Sequence, residues 1–274
     1  MGGFSVVEGA IRTIWMPVNM GSGASTCYEG QLVVAGVAAS GSGGCIPWNV
    51  AGVGDTTADQ VPFGVVVGLN NKVPLYNSTY KSNYGTAVNT KALQVARDWR
   101  MAEGMFAKGD PALMAQVAVI GPNTVLKGRI FNAAYGTAPT VLTATAVNGT
   151  AGLGWTSNAA EFTPVAYNNT FYCRSGANRG LYRTGYDTSA TAHTFYLYWP
   201  YTLAVGDTFV GSNLALGTCT GMFDTLGMYI NNAAAVYTTN FAWMDVLELN
   251  LETAGAEYAI FKLNAWQFCG LRSA

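Results

Sequence analysis

Period-two alternation of apolar and polar positions dominates this chain. In WMDVLELNLE (243–252), Leu247, Leu249 and Leu251 alternate with Glu248, Asn250 and Glu252, the pattern of a strand with one dry and one wet face. TAGA (253–256) supplies turn residues, and EYAIFKLNAWQF resumes the alternation with Ala259, Phe261, Leu263 and Ala265 on one face. Together the two runs predict a C-terminal hairpin. Further strands are predicted at GQLVVAGVA (30–38), PFGVVVGL (62–69), MFAKG (105–109), AQVAVI (115–120), VLKGRIF (125–131), TFYLYWPY (194–201) and GDTFVG (206–211), separated by Gly, Pro and Asn turn signals. Helical spacing occurs in TAVNTKALQVARDWRMA (86–102), where Val88, Leu93, Val95 and Trp99 approximate one face and Lys91, Arg97 and Arg100 point away.

Short, evenly spaced strands suit barrels and sandwiches. The fold expected is all-β with at most one or two short helices. A small β-barrel-like region is expected over 1–139, as one barrel or two small modules, and an antiparallel β-sandwich or barrel ending in the hairpin over 140–274. An internal echo favours two modules: YEGQLVVAG (28–36), AEGMFAKGD (102–110) and AVGDTFVGS (204–212) each set a Gly turn before a strand. YGTAPTVLTATAVNGTAG (135–152) is small, polar and Pro-containing, which predicts a linker or sheet edge between the regions.

Composition changes the picture at the surface. Charged residues make up 11% of the 274, against roughly 25% in an average soluble domain. A net charge of −1 gives little repulsion against self-association, so a largely covered surface is expected. Fourteen basic against fifteen acidic residues argue against direct binding of nucleic acid, which needs a basic excess. No apolar run reaches the ~18 residues of a membrane helix, and MGGFSVVEGA lacks the form of a secretory signal, so a soluble chain is expected. Cys27, Cys45, Cys173, Cys219 and Cys269 are odd in number and scattered, which predicts reduced, buried thiols, with a Cys27–Cys45 bridge as the alternative under oxidising conditions. The sequons at Asn77, Asn148 and Asn168 carry little weight in a chain rich in Asn and Thr.

Candidate chemistry is thin. His193, the single histidine, could pair with Asp187 and a serine, but no G-x-S-x-G elbow is present, and His193 opens the alternating run His193, Phe195, Leu197, Trp199. One histidine and scattered cysteines offer too few ligands for a transition metal, and no cofactor is expected. Glu248 and Glu252 would lie about 13 Å apart along a strand, beyond glycosidase spacing. SGSGG (40–44) lacks the Lys and the strand-loop-helix context of a phosphate loop.

One pattern does point outward. FYCRSGANRGLYRTGYDTSATAH (171–193) holds Arg174, Arg179 and Arg183 on a Gly-containing loop, whereas 184–261 contains no Lys or Arg and includes Asp245, Glu248 and Glu252. Arginines grip carboxylates bidentately, so the loop is expected to dock on the acidic face of a neighbouring copy or an acidic partner. The alternative is that the arginines pair inside the same subunit or lie free in solvent. The run FYLYWPY offers Tyr198, Trp199 and Tyr201 as a stacking face for a sugar or as interface aromatics.

The blocks YEGQLVVAGVAASGSGGCIPWNVAGVGDTTADQVPFGVVVGLNN (28–71) and EGMFAKGDPALMAQVAVIGPNTVLKGRIFNAA (103–134) resemble the small β-barrel modules of head decoration (cement) proteins from tailed bacteriophages. The likeness covers roughly the first half and rests on pattern: a Gly turn, a Val-rich strand, a polar loop and a closing PFGVVVG-like strand. The residues from about Thr140 onward have no counterpart in it. The resemblance implies a non-enzymatic virion protein, made in the bacterial host cytoplasm, that sits on the outer capsid surface. Its implied partners are the major capsid protein and copies of itself, often as a trimer, with neither membrane nor nucleic acid. Two rival readings are a carbohydrate-binding, receptor-binding tail or fibre component using Tyr198, Trp199 and Tyr201, and an enzyme built around His193 and Asp187.

Overall fold

The computed structural model describes residues 3–17, 25–37, 43–47, 62–70, 92–95, 114–132, 136–148, 153–159, 169–189, 191–224, 227–232 and 241–265, and these are nearly all strand and turn. The chain divides into two compact units. One comprises Met1–Leu126, Asp224–Met228 and Ala265–Ala274; the other comprises Lys127–Phe223 and Tyr229–Asn264.

The first unit contains β1 (Ser5–Glu8), β2 (Arg12–Pro17), β3 (Ser25–Tyr28), β4 (Leu32–Val37), β5 (Gly43–Pro47), β6 (Pro62–Asn70), β7 (Ala92–Val95) and β8 (Met114–Val119). Its main sheet is antiparallel in the order β2-β8-β6-β4-β5. The runs that read as apolar strands supply its core, with Leu32, Val33, Val65 and Val117 almost wholly buried. An irregularity between Val66 and Gly68 turns Val67 outward. Residues 92–95 pair with β3 as strand β7, where the spacing predicts a helix over 86–102. ALQV satisfies a period of two as well as a helical one, and tertiary pairing overrides the local preference. The rest of that segment, the strand expected at 105–109, and the side chains of Cys27, Cys45 and Cys269 lie outside the described residues.

β9 (Val125–Phe131) runs across the division between the units. Beyond it, β10 (Val141–Asn148), β11 (Gly154–Ser157), β12 (Asn169–Cys173), β13 (Tyr182–Ser189), β14 (Ala192–Phe195) and β15 (Thr208–Ser212) close a barrel in the order β10-β11-β14-β13-β12-β15. The boundary expected at 139/140 and the linker expected over 135–152 fall within this second unit, and β10 is a barrel strand bonded to both β11 and β15. Its Thr and Ala residues resemble a loop in composition, but Thr and Val are β-branched and favour a pleated surface. Leu142 and Ala144 face inward and are buried, while Val141 is exposed.

A barrel of this size has room only for side chains. Trp155 sits at its centre, 4.5 Å from the ring of Phe209, 5.9 Å from Phe171 and 6.2 Å from Phe195. Trp199 packs edge-on to Phe195 at 5.0 Å and completes the plug.

The second unit also holds β16 (Gly217–Met222), β17 (Ile230–Asn231), β18 (Phe241–Asn250) and β19 (Tyr258–Leu263), ordered β9-β19-β18-β16 with β17 parallel to β9. β18 and β19 form the predicted hairpin, with Ala259, Phe261 and Leu263 inward. A bulge between Val246 and Glu248 shifts the inward set of β18 to Met244, Val246, Leu249 and Leu251. Leu247, expected on the dry face, is therefore exposed beside Glu248. Ala265, expected inward on β19, lies past the strand end and is exposed.

Candidate functional site

The stretch 171–193 crosses three barrel strands and one loop. β12 is buried along its whole length, and the loop 174–181 reverses the chain into β13. The reversal uses Gly176 at φ +78 and closes with Gly180 N–H donating to the Cys173 carbonyl at 2.9 Å. A Cβ at Gly176 would fall 2.0 Å from Oδ1 of the buried Asp207, so both backbone angle and space demand glycine. Thr208 N–H donates to Ser175 Oγ at 2.9 Å, tying the loop to β15.

The three arginines have separate fates. Arg174 donates to Leu251 O at 2.8 Å and forms a 2.7 Å ion pair with the buried Glu257, both in the hairpin connection. Arg183 donates from Nε to Tyr198 O at 3.0 Å and lies over the Trp199 ring, 5.3 Å from its centroid. Arg179 is exposed. For Arg174, then, the alternative of pairing within the subunit holds, and Arg183 acts as a brace.

The aromatic run departs from the strand expected over 194–201. β14 ends at Phe195, and 196–201 form a loop on the barrel rim. Trp199 is buried as part of the barrel plug and presents no stacking face, whereas Tyr196, Leu197, Tyr198 and Tyr201 are each about half exposed or more. Two side chains hold the loop, in addition to the bond from Tyr196 N–H to the Thr184 carbonyl at 3.0 Å. Buried Asn178 donates from Nδ2 to Tyr201 O at 2.8 Å and accepts from Tyr201 N–H at 3.0 Å, and Arg183 holds Tyr198 O. The arginine loop and the aromatic run are thus one construction, in which buried polar groups fix the backbone and four apolar or aromatic side chains project outward beside Arg179.

Two of the three proposed acids are engaged locally. Asp245 accepts from Thr218 Oγ1 at 2.7 Å and from Asn264 Nδ2 at 3.0 Å. Glu248 accepts from Tyr258 O–H at 2.7 Å; this bond, chiefly, raises the phenol's pKa. Glu252 is exposed in the hairpin turn, next to Leu251, the residue to which Arg174 is tied.

His193 does meet a serine and an aspartate. β13, β14 and β11 align Asp187, His193 and Trp155 across the sheet, and Ser157 follows Trp155 on the same inward face. His193 Nδ1 lies 2.5 Å from Asp187 Oδ1 and Nε2 lies 3.0 Å from Ser157 Oγ, and all three residues are buried. Ser157 Oγ also lies 2.6 Å from the Ala159 carbonyl, so its single proton serves either that carbonyl or Nε2. A general base needs that nitrogen's lone pair directed at the hydroxyl. Asp187 also accepts from Asn169 Nδ2 at 2.6 Å, and Trp155 covers the imidazole at 4.5 Å. The group is a buried polar staple joining β11, β12, β13 and β14. Among the described residues no cluster of three or more His, Cys, Asp or Glu side chains is placed to hold a metal ion.

Sequence reasoning missed Asn178, Ser157 and Asn169. Only the Asn-x-Gly turn pattern of Asn178 carried a local signal, since their roles depend on strands distant in sequence. No family model matches the chain, no curated protein matches it, and no solved structure matches it.

Proposed function

We propose that this chain is a non-enzymatic virion structural protein, a capsid decoration protein that binds the outer surface of a bacteriophage head and stabilises contacts between major capsid subunits. One observation carries the reading: a barrel packed solid with aromatic rings displays, on a rim braced by Asn178 and Arg183, the exposed group Tyr196, Leu197, Tyr198 and Tyr201. Interfaces favour aromatic and Arg residues at their centres and are poor in Lys and acids. The low charge of the chain and the decoration-protein pattern of residues 28–71 and 103–134 supply the class of assembly. Partners in this reading are the major capsid protein and copies of the chain, with neither cofactor nor catalysis required.

The test is co-sedimentation with purified capsids of the cognate phage. Saturable binding to capsids, with no retention on a glycan array, is the expected result. A carbohydrate-binding tail or fibre component is the second reading, favoured by the outward rings of Tyr196, Tyr198 and Tyr201. Glycan retention without capsid binding would replace the first reading with it.

A further inference from the structure

We infer that the braced rim docks on a second copy of this chain, against the exposed face of the C-terminal hairpin. The inference rests on the decoration reading for its context and adds the identity of the surface that the rim meets.

Charge placement identifies the occupant. Among the described residues of the second unit, Arg179 is the exposed cation, and Glu248 and Glu252 are the exposed acids. Every other described charge there is buried or half-buried, several in local bonds: Arg174 with Glu257, Arg183 with Tyr198 O, Asp245 with Thr218 and Asn264, and Asp187 with His193. Arg179 and Glu248 stand by exposed apolar residues, and Glu252 lies in the turn of the same hairpin as Glu248. Arg179 follows Asn178, whose side chain clamps the backbone of Tyr201, which places it on the same rim as the exposed Tyr201. Glu248 follows Leu247, which the bulge turns outward at 52% exposure. One patch is therefore apolar with a cation at its edge, and the other is apolar with anions at its edge.

Such a pair matches in both respects needed for a specific contact. Leu197 and the tyrosines cover Leu247, and Arg179 reaches the carboxylate of Glu252. An arginine fork on a rim carboxylate fixes register more than it adds affinity. Both patches are rigid before they meet, one because of the Asn178 and Arg183 bonds and the other because it lies on a paired hairpin, so little ordering cost opposes association. Two copies meeting this way either pair reciprocally about a two-fold axis or add head to tail and close into a ring when the rotation permits.

Light scattering over a range of protein concentrations tests this with R179E, E252R, the double variant R179E/E252R, and L197S, each checked by circular dichroism for retained fold. The unaltered chain is expected to self-associate. R179E should weaken association by roughly tenfold or more, because it sets acid against acid, and R179E/E252R should recover most of the loss. L197S should weaken association without recovery. A chain that stays monomeric at every concentration overturns the inference, as does a double variant no better than either single one. Capsid binding by a persistent monomer would overturn this contact and leave the decoration reading standing. An oligomer that recovers by charge exchange yet ignores capsids would do the reverse.

Discussion

Asn178 does more than its place in a surface loop suggests. Its side-chain amide is buried and copies the pairing of a strand, giving one bond to and taking one from the backbone of Tyr201. Asn178→Ala should cost about 2 kcal/mol in urea unfolding, because two part-buried backbone groups of Tyr201 lose their partner. His193 is similar in kind. Asp187→Asn should destabilise by about 3 kcal/mol by leaving a buried imidazole without its carboxylate, and on the decoration reading Ser157→Ala should leave capsid binding intact, since its hydroxyl is buried against His193. Burial, opposed by a backbone hydrogen bond with Ser175 and helped by Asp207, pushes the Cys173 thiol up from 9.0 to about 11. A raised acid pKa means that the stabilisation is fully present below about pH 9 and is lost as pH climbs through 11. Cys219 is raised as well, chiefly by burial. At pH 8 neither thiol should react with iodoacetamide until urea unfolds the chain.

Strands legible in the sequence are those whose dry face is made of large aliphatic residues. β4, β6, β8, β9, β15 and the hairpin strands β18 and β19 all coincide with predicted runs. β10 was hidden because its inward residues include Ala144 and its outward ones include Thr143 and Thr145, and β12 because NTFYC is buried on both faces and does not alternate. The opposite error occurred at 196–201, where aromatic residues of high strand propensity form a loop because Asn178 and Arg183 hold its carbonyls from outside any ladder. The candidate site followed the same logic. Its chemistry-bearing residues stood out as an arginine loop and an aromatic run, but their union depends on bonds across the barrel rim that no local spacing records. The bulge in β18 gives a direct check at this scale: Leu247→Ala should change stability by less than about 0.5 kcal/mol, whereas Leu249→Ala should cost about 3 kcal/mol. Equal costs would mean that the strand keeps strict alternation.

At the scale of the molecule, few exposed charges and a near-neutral total leave association governed by shape and a small number of ion pairs. Rising salt should weaken the proposed Arg179 contact while sparing the apolar one, so assembly is expected to soften but persist at 1 M salt. The order in which the chain is made adds a constraint of its own. Leu32 N–H, fully buried in β4, donates to the Gly227 carbonyl at 2.9 Å, and Gly227 belongs to the same compact unit although the entire barrel intervenes in sequence. A ribosome therefore releases β4 well before the atom that will satisfy it exists. The leading half of the polypeptide must wait, unfinished, for translation to pass residue 227, and nascent chains stalled before that point should remain protease-sensitive there.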